Sequence, residues 1–333
     1  MRSRFFLGFF LFILTFTIHA DQLIIEPDAG RKPILDAIAN TQHSLDLIMY
    51  GFTDQTLLNA ILRKKQEGKN IKLILEPRPY KSAGENNKTI SVLNTNDILW
   101  QGEIPGTNLI HQKTLLLDNE KAIVMTFNFT HSTFSKERNF ALILDDPSRV
   151  KAIASLFSSD YNHVPNDISS TDLIISPENS RAKLLALIDH ANISIRIYAQ
   201  GINDYKILGA LANAAKRSVN VEIITSNVLR EKQQHYLERA GVKIHYSKKW
   251  IIHAKIMIID NEKAVIGSIN LTRPSLDHNR ELSVITTDKQ VITQLNQTFE
   301  KDSQDEFAEG FALHAFNMSF RISPRQFAFG WRN

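Results

Sequence analysis

His111-Gln112-Lys113-Thr114-Leu115-Leu116-Leu117-Asp118-Asn119-Glu120-Lys121-Ala122-Ile123-Val124-Met125-Thr126-Phe127-Asn128 has a second copy, His253-Ala254-Lys255-Ile256-Met257-Ile258-Ile259-Asp260-Asn261-Glu262-Lys263-Ala264-Val265-Ile266-Gly267-Ser268-Ile269-Asn270. His, Lys, Asp and Asn recur in register while the apolar residues between them vary. The copies lie 142 residues apart, the length of a domain, so the duplicated unit is a domain and not a short tandem motif. Within each His-x-Lys step the two side chains share one face of a strand. The apolar run that follows reads as a buried strand and Asp-Asn-Glu-Lys as a turn. A second strand then ends at Asn128 or Asn270.

Upstream of each copy the pattern also repeats. Pro33-Ile34-Leu35-Asp36-Ala37-Ile38 matches Ala182-Lys183-Leu184-Leu185-Ala186-Leu187-Ile188, and each helical period leads into a strand pattern, Ser44–Tyr50 or Ser194–Tyr198. Leu57–Leu62 and Ile207–Ala212 then read as helices with basic ends, Arg63-Lys64-Lys65 and Lys216-Arg217, where cations suit the carbonyl end of the helix dipole. Strands Ile71–Leu75 and Val221–Thr225 follow. Helices alternating with strands predict an α/β protein with two tandem α/β/α sandwich repeats. The polar stretch Asn162–Thr171, with Pro165, is the expected linker, which divides the chain into residues 21–165 and 166–333. The second unit carries a C-terminal extension. There Phe316–Ile322 alternates like a strand, and Phe327, Phe329 and Trp331 are expected to pack at a core edge.

Composition sets the limits. The 333 residues are 43% hydrophobic and 22% charged, which is globular. Thirty-nine Lys and Arg against 35 Asp and Glu give +4, without the basic bias of a DNA-coating protein. The chain has no cysteine, which excludes disulfides, thiolate metal sites and Cys nucleophiles. Zinc-type histidine spacing and a glycine-rich phosphate loop are also missing. Residues 1–20 read as a signal peptide, because Arg2 and Arg4 precede the apolar run Phe5–Leu14 and Ile18-His19-Ala20 offers a cleavage site. An uncleaved anchor is the alternative, but the run is short for a membrane span. The expected product is an exported protein, periplasmic or secreted.

Each half offers one imidazole, one ammonium and one amide near the same sheet edge. Brought together, His111, Lys113 and Asn128 with His253, Lys255 and Asn270 suit a phosphodiester. The lysines neutralise non-bridging oxygens and the amides donate hydrogen bonds. One His attacks phosphorus and the other protonates the leaving oxygen. His131 and His278 have no matched counterparts and read as loop residues.

The pattern His-x-Lys-x4-Asp-x6-Gly-Ser-x-Asn resembles the signature of the phospholipase D superfamily. The second copy matches throughout. The first carries Met125-Thr126 in place of Gly-Ser. The resemblance implies a two-lobed fold with one active site between the lobes in a monomer, a phosphohistidine intermediate, and no metal or other cofactor. Asp118 and Asp260 join the site as supporting residues, and Thr126, Ser268 and Asn139 as substrate-side residues. Asn139 and Glu281 each lie 28 residues after a motif His and resemble the group that holds the far imidazole nitrogen. Read along the sequence, Asn139 serves His111 and Glu281 serves His253. A carboxylate favours imidazolium and an amide does so far less, so His111 is the expected nucleophile and His253 the general acid. The expected substrate is a phospholipid at a membrane surface, with head-group hydrolysis or transfer. Leu173–Arg181 resembles members grouped with the cardiolipin synthases. The alternatives are an exported nuclease acting on nucleic acid, and an inactive binding module suggested by Met125-Thr126.

Overall fold

The computed structural model describes residues 20–80, 84–165 and 172–304. The expected signal peptide and the C-terminal aromatic stretch lie outside the described residues, apart from Ala20. The first lobe runs β1 (Gln22–Glu26), α1 (Lys32–Asn40), β2 (Ser44–Met49), α2 (Gln55–Gln66), β3 (Asn70–Leu75), α3 (Asn87–Thr95), β4 (Leu99–Gln101), β5 (Thr114–Leu117), β6 (Lys121–Met125), β7 (Glu137–Leu144) and α4 (Pro147–Asn162). The second runs β8 (Leu173–Ser176), α5 (Ser180–Asp189), β9 (Ser194–Ala199), α6 (Tyr205–Lys216), β10 (Asn220–Thr225), α7 (Glu231–Arg239), β11 (Lys243–Tyr246), β12 (Ile251–Ile252), β13 (Lys255–Ile259), β14 (Lys263–Gly267), α8 (Arg273–Asp277), β15 (Glu281–Thr286) and α9 (Lys289–Ser303). The expected boundary at 165/166 falls between α4 and β8.

The duplication read in the sequence is a duplication of topology. One sheet is ordered β1-β7-β6-β5-β2-β3-β4, and the other, from its matching edge, β8-β15-β14-β13-β9-β10-β11. In each, three parallel strands are joined through helices, as parallel pairing requires, and antiparallel strands complete the sheet. Local chemistry repeats too. Asp54 caps α2 by accepting the Thr56 and Leu57 N–H groups, and Asp204 caps α6 by accepting those of Lys206 and Ile207.

Apolar side chains fill three regions. One lies between the first sheet and α1 and α2, including Ile34, Ile38, Leu57 and Ile61. A second lies between the other sheet and α5 and α6, including Leu184, Ile188, Ile207 and Leu211. The third belongs to both lobes. Val150, Ile153 and Leu156 of α4 and Val291, Leu295 and Phe299 of α9 pack with residues of both sheets, among them Leu116, Phe140, Ile256 and Ile266. The two sandwiches therefore share one continuous central core.

Buried arginines lock that core. Arg138 is 1% exposed and donates to Asp302 at 2.8 and 3.2 Å, to the Glu26 carbonyl at 2.9 Å and to Asp28 at 2.8 Å. Arg280 mirrors it, reaching Asp160 at 2.9 Å, Glu178 at 2.7 Å and the Ser176 carbonyl at 3.1 Å. Asp302 and Asp160 lie near the ends of α9 and α4, so each arginine fastens the other lobe's helix. A buried ion pair specifies register more than it adds stability, but removing one partner strands the other charge. Arg138→Met is expected to lower stability by about 3–5 kcal/mol, read as a fall in the urea midpoint, because Asp302 is left without its guanidinium.

Candidate active site

The two motifs meet because each crosses to the other lobe. The His111 N–H donates to the Arg280 carbonyl at 2.9 Å, and the Arg280 N–H returns a bond to Leu109 at 2.9 Å. In the mirror arrangement the N–H groups of His253 and Ala254 donate to the Arg138 carbonyl at 3.2 and 3.0 Å. The β12 strand, just before His253, pairs with β7 of the first lobe, Ile251 against Glu137 and Ile252 against Arg138. Each His is thus held beside the strand that carries the partner residue of the opposite lobe.

This crossing reverses the expected pairing. Glu281 accepts from His111 Nδ1 at 2.8 Å, and Asn139 Oδ1 faces His253 Nδ1 at 3.0 Å. The sequence reading matched each partner to the His of its own repeat, because spacing along the chain says nothing about which lobe a strand edge faces. Glu281 is fully buried and also accepts from the Ser275 hydroxyl. Burial pushes its carboxyl up, but His111, Lys113 and Ser275 outweigh this and hold it below the usual range.

Cations surround the imidazoles. Lys113 Nζ donates to the His111 carbonyl at 2.6 Å. Lys255 Nζ donates to the His253 carbonyl and to Thr126 O of the other lobe at 3.2 Å, and lies 3.3 Å from His253 Nδ1. Burial lowers the His111 pKa to about 4, aided by Lys113 and Lys255 and opposed by Glu281. Burial lowers Lys113 to about 7 against the pull of Glu281 and Glu137. His253 is pushed well below its usual value by burial, Lys255, Lys113 and His111, and Lys255 well below its own by burial and Lys113. An anion bound between these groups would reverse the shifts, since negative charge favours their protonated forms.

Asn128 Oδ1 accepts from the Gly51 N–H at 3.3 Å, and Asn270 stands against Gly201, where a Cβ would lie 3.5 Å from its Oδ1. Asn270 Oδ1 is buried and has no hydrogen-bond partner among the described residues. Tyr50 is a neighbour the sequence reading missed. Its ring meets His111 edge-on at 4.8 Å between centroids, and Lys113 Nζ lies 5.3 Å from its centroid. Its only sequence signal is its place at the end of the strand pattern that precedes the first motif.

Other expected site residues have different work. Asp118 and Asp260 sit in left-handed turns, φ 56° and 53°, beyond the far ends of β5 and β13 from the lysines. Asp118 accepts the N–H groups of Gln42, His43 and Ser44 at 2.8, 2.6 and 2.9 Å. Asp260 does the same for Asn192, Ile193 and Ser194 at 2.9, 2.7 and 2.9 Å. They tie the start of a neighbouring strand and do not touch the reacting centre. Thr126 is buried, donates to Asn139 Oδ1 at 2.8 Å and accepts from the Phe140 N–H at 2.9 Å. Ser268 is buried and accepts from the Leu282 N–H at 3.2 Å. These hydroxyls, and Asn139 behind His253, are buried and bonded within the protein. A Cβ at Gly267 would fall 2.2 Å from the Leu282 carbonyl, so glycine is required there, whereas Met125 is buried in the outer core of the first lobe. Among the described residues, no group of three or more His, Asp or Glu converges as a metal site.

The family model described as "Cardiolipin synthase, PLD-like domain" matches residues 34–161 and 184–303, well over half of the chain. The chain belongs to this phospholipase D-like family. It is 32% identical over 153 residues to a phospholipase D of Rickettsia conorii, covering 44% of this chain and 76% of the relative. It is 23% identical over 332 residues to a cardiolipin synthase of Staphylococcus aureus, covering 82% of this chain and 65% of that protein's length. Among solved structures, phosphatidylserine synthase of Haemophilus influenzae shares the fold with a TM-score of 0.69 at 12% identity, over 90% of this chain and 93% of the other. The two-lobed phospholipase D-like fold and a superfamily of phosphodiester chemistry are thereby established for this chain. Asp118→Ala is expected to lose about 1–3 kcal/mol, because three backbone N–H groups lose their acceptor. The kcat of the folded fraction should be unchanged, a split that urea titration and steady-state assays resolve together.

Proposed function

We propose that this chain is an exported phosphodiesterase that cleaves phospholipid head groups through a covalent phosphohistidine. The observation that carries the reading is the pair of crossed imidazoles, one held by a carboxylate and the other by an amide, among two buried lysines. Relatives named phospholipase D and cardiolipin synthase support a lipid substrate. The rim beside His253 supports a lipid surface too. Ile251 is 54% exposed and follows Lys248, Lys249 and the partly buried Trp250. Without residues 1–20 the chain carries 37 basic against 35 acidic residues, a weak balance for gripping a nucleic acid backbone.

The crossed pairing supports His111 as nucleophile on new grounds. With Nδ1–H donated to Glu281, the His111 Nε2 keeps its lone pair, and its low pKa leaves the ring neutral at pH 7. Attack forms the Nε2–P bond, breaks the bond from phosphorus to the leaving oxygen, and makes the ring cationic. The Glu281 carboxylate stabilises that developing charge. His253 gives its proton to the leaving oxygen. An amide partner, binding imidazolium less tightly than a carboxylate would, makes it the better donor. His253 then takes a proton from water or an alcohol, whose oxygen attacks phosphorus and frees His111. The lysines offset charge on the non-bridging oxygens throughout.

Purified protein is to be incubated with labelled phosphatidylcholine, phosphatidylglycerol and single-stranded DNA. Cleavage of a lipid is expected, and cleavage of DNA alone would overturn the substrate reading. His111→Ala should abolish turnover and covalent labelling. His253→Ala should cripple alkoxide-leaving substrates by at least about a hundredfold while sparing a nitrophenyl leaving group, which departs unprotonated. Mass spectrometry of the acid-quenched enzyme should place phosphate on the His111 peptide, and phosphate on His253 would reverse the roles. Turnover should also persist in EDTA, because lysines and amides supply the charge stabilisation. Loss of activity restored by a divalent ion would contradict that.

A further inference from the structure

The second copy carries Asn279-Arg280-Glu281, and the first, at the matching positions, Glu137-Arg138-Asn139. Amide and carboxylate have changed places. On a strand, residues two apart lie on one face, so the exchange keeps both groups on the same side of β7. Asn139 Nδ2 donates to Glu137 Oε2 at 3.0 Å, while Asn139 Oδ1 faces His253 Nδ1 at 3.0 Å. The same Glu137 oxygen lies 3.9 Å from His253 Nδ1. The hydroxyls behind the two carboxylates correspond as well. Ser275 donates to Glu281, and Thr133, 142 residues earlier, lies 3.4 Å from Glu137 while it donates to the Asn128 carbonyl at 2.8 Å.

We propose that Glu137 is the positioning residue of His253, acting on it through the side-chain amide of Asn139. Glu137 draws on the amide N–H, which raises electron density on the amide oxygen that accepts the hydrogen bond from His253 Nδ1–H, a cooperative chain of hydrogen bonds. The neighbourhood calls for such a charge. Lys255, Lys113 and His111 all oppose protonation of His253. Glu281 is committed to His111. Glu26, in register with Asn139 on β1, is raised to about 8 by burial and so is mostly neutral at pH 7. Arg138, the cation of the same β7 segment, is paired with Asp302 and Asp28. Glu137 is therefore the carboxylate that remains beside His253, 3.9 Å from its Nδ1 and bonded to the amide of Asn139. It restores part of the imidazolium stabilisation that Asn139 alone cannot give, while the intervening amide leaves the proton easier to release than a direct carboxylate would.

The test follows the His253 ring itself, by 15N NMR of histidine-labelled full-length protein titrated without substrate, with His253→Gln fixing the assignment. Glu137→Gln keeps size and a hydrogen-bond acceptor but removes the charge. It should move the His253 midpoint down by about half to one pH unit, or abolish protonation at the lowest pH at which the unsubstituted protein shows it. Asn139→Asp in the Glu137→Gln background puts a carboxylate directly against His253 and should restore or exceed the original midpoint, which shows that the His253 ring in the folded variant still responds to charge at this place. If Glu137→Gln does not fold, Glu137→Asp, which withdraws the carboxylate by one methylene, should give a smaller downward shift. An unmoved midpoint in the folded variant, or no recovery on adding Asn139→Asp, overturns the proposal. The kinetic arm rests on His253 as proton donor. There the basic limb of kcat/KM should fall with the NMR midpoint for an alkoxide-leaving substrate and stay in place for a nitrophenyl one. If no phosphodiester is cleaved, the functional reading fails while the NMR arm still decides the role of Glu137.

Discussion

Each site histidine hangs from a strand of the other lobe, and the rest of the structure is arranged around that crossing. His111 is bonded through its backbone to Arg280, and His253 to Arg138. The carbonyls of these two arginines therefore hold the reacting rings, while their guanidinium groups hold the ends of α9 and α4. Neither lobe has a complete site alone, since each imidazole finds its partner only across the interface. The shared central core lets the lobes act as one body. Interdigitated side chains at interior density resist the small slips that would separate an imidazole from its partner.

The crossing also concentrates charge. Two buried lysines, the buried His253 and the partly buried His111 lie together, with Glu281 and Glu137 as nearby carboxylates. Burial opposes all four protonated forms, so protons are held weakly until an anion enters. That is the electrostatic character of a site made for a phosphodiester, in which substrate charge completes the protonation pattern the chemistry needs. The two ends of the site differ in one respect. His111 meets a carboxylate directly, and His253 meets one through an amide. In the proposed mechanism the nucleophile gains positive charge on attack and the proton donor loses it, which suits the direct carboxylate to His111.

The first motif's departures from Gly-Ser fit the local packing. Gly267 is confined by the Leu282 carbonyl, where no side chain fits. Met125 occupies the corresponding place in the first lobe and fills the outer core. Thr126 bonds both Asn139 and the β7 backbone, so its hydroxyl is needed as much as the serine it replaces.

The duplication, the α/β alternation, the strand–turn–strand motifs and the His and Lys of the site were legible in the chain, because side-chain period and turn chemistry are local properties. The structure then shows one sheet order used twice, as two repeats with the same sequence of elements allow. What the chain alone did not determine was every relation that crosses between lobes. Spacing assigned Glu281 to His253 and Asn139 to His111, and the interface exchanged them. Asp118 and Asp260 recur as faithfully as the histidines, yet they bind the starts of β2 and β9 at the other end of the strands. Tyr50 and Glu137 gave no periodic signal, because their roles come from what faces them and not from where they fall in a repeat. A sequence records which residues a strand carries. Only the packing of two sheets against each other decides which strand edge each histidine meets.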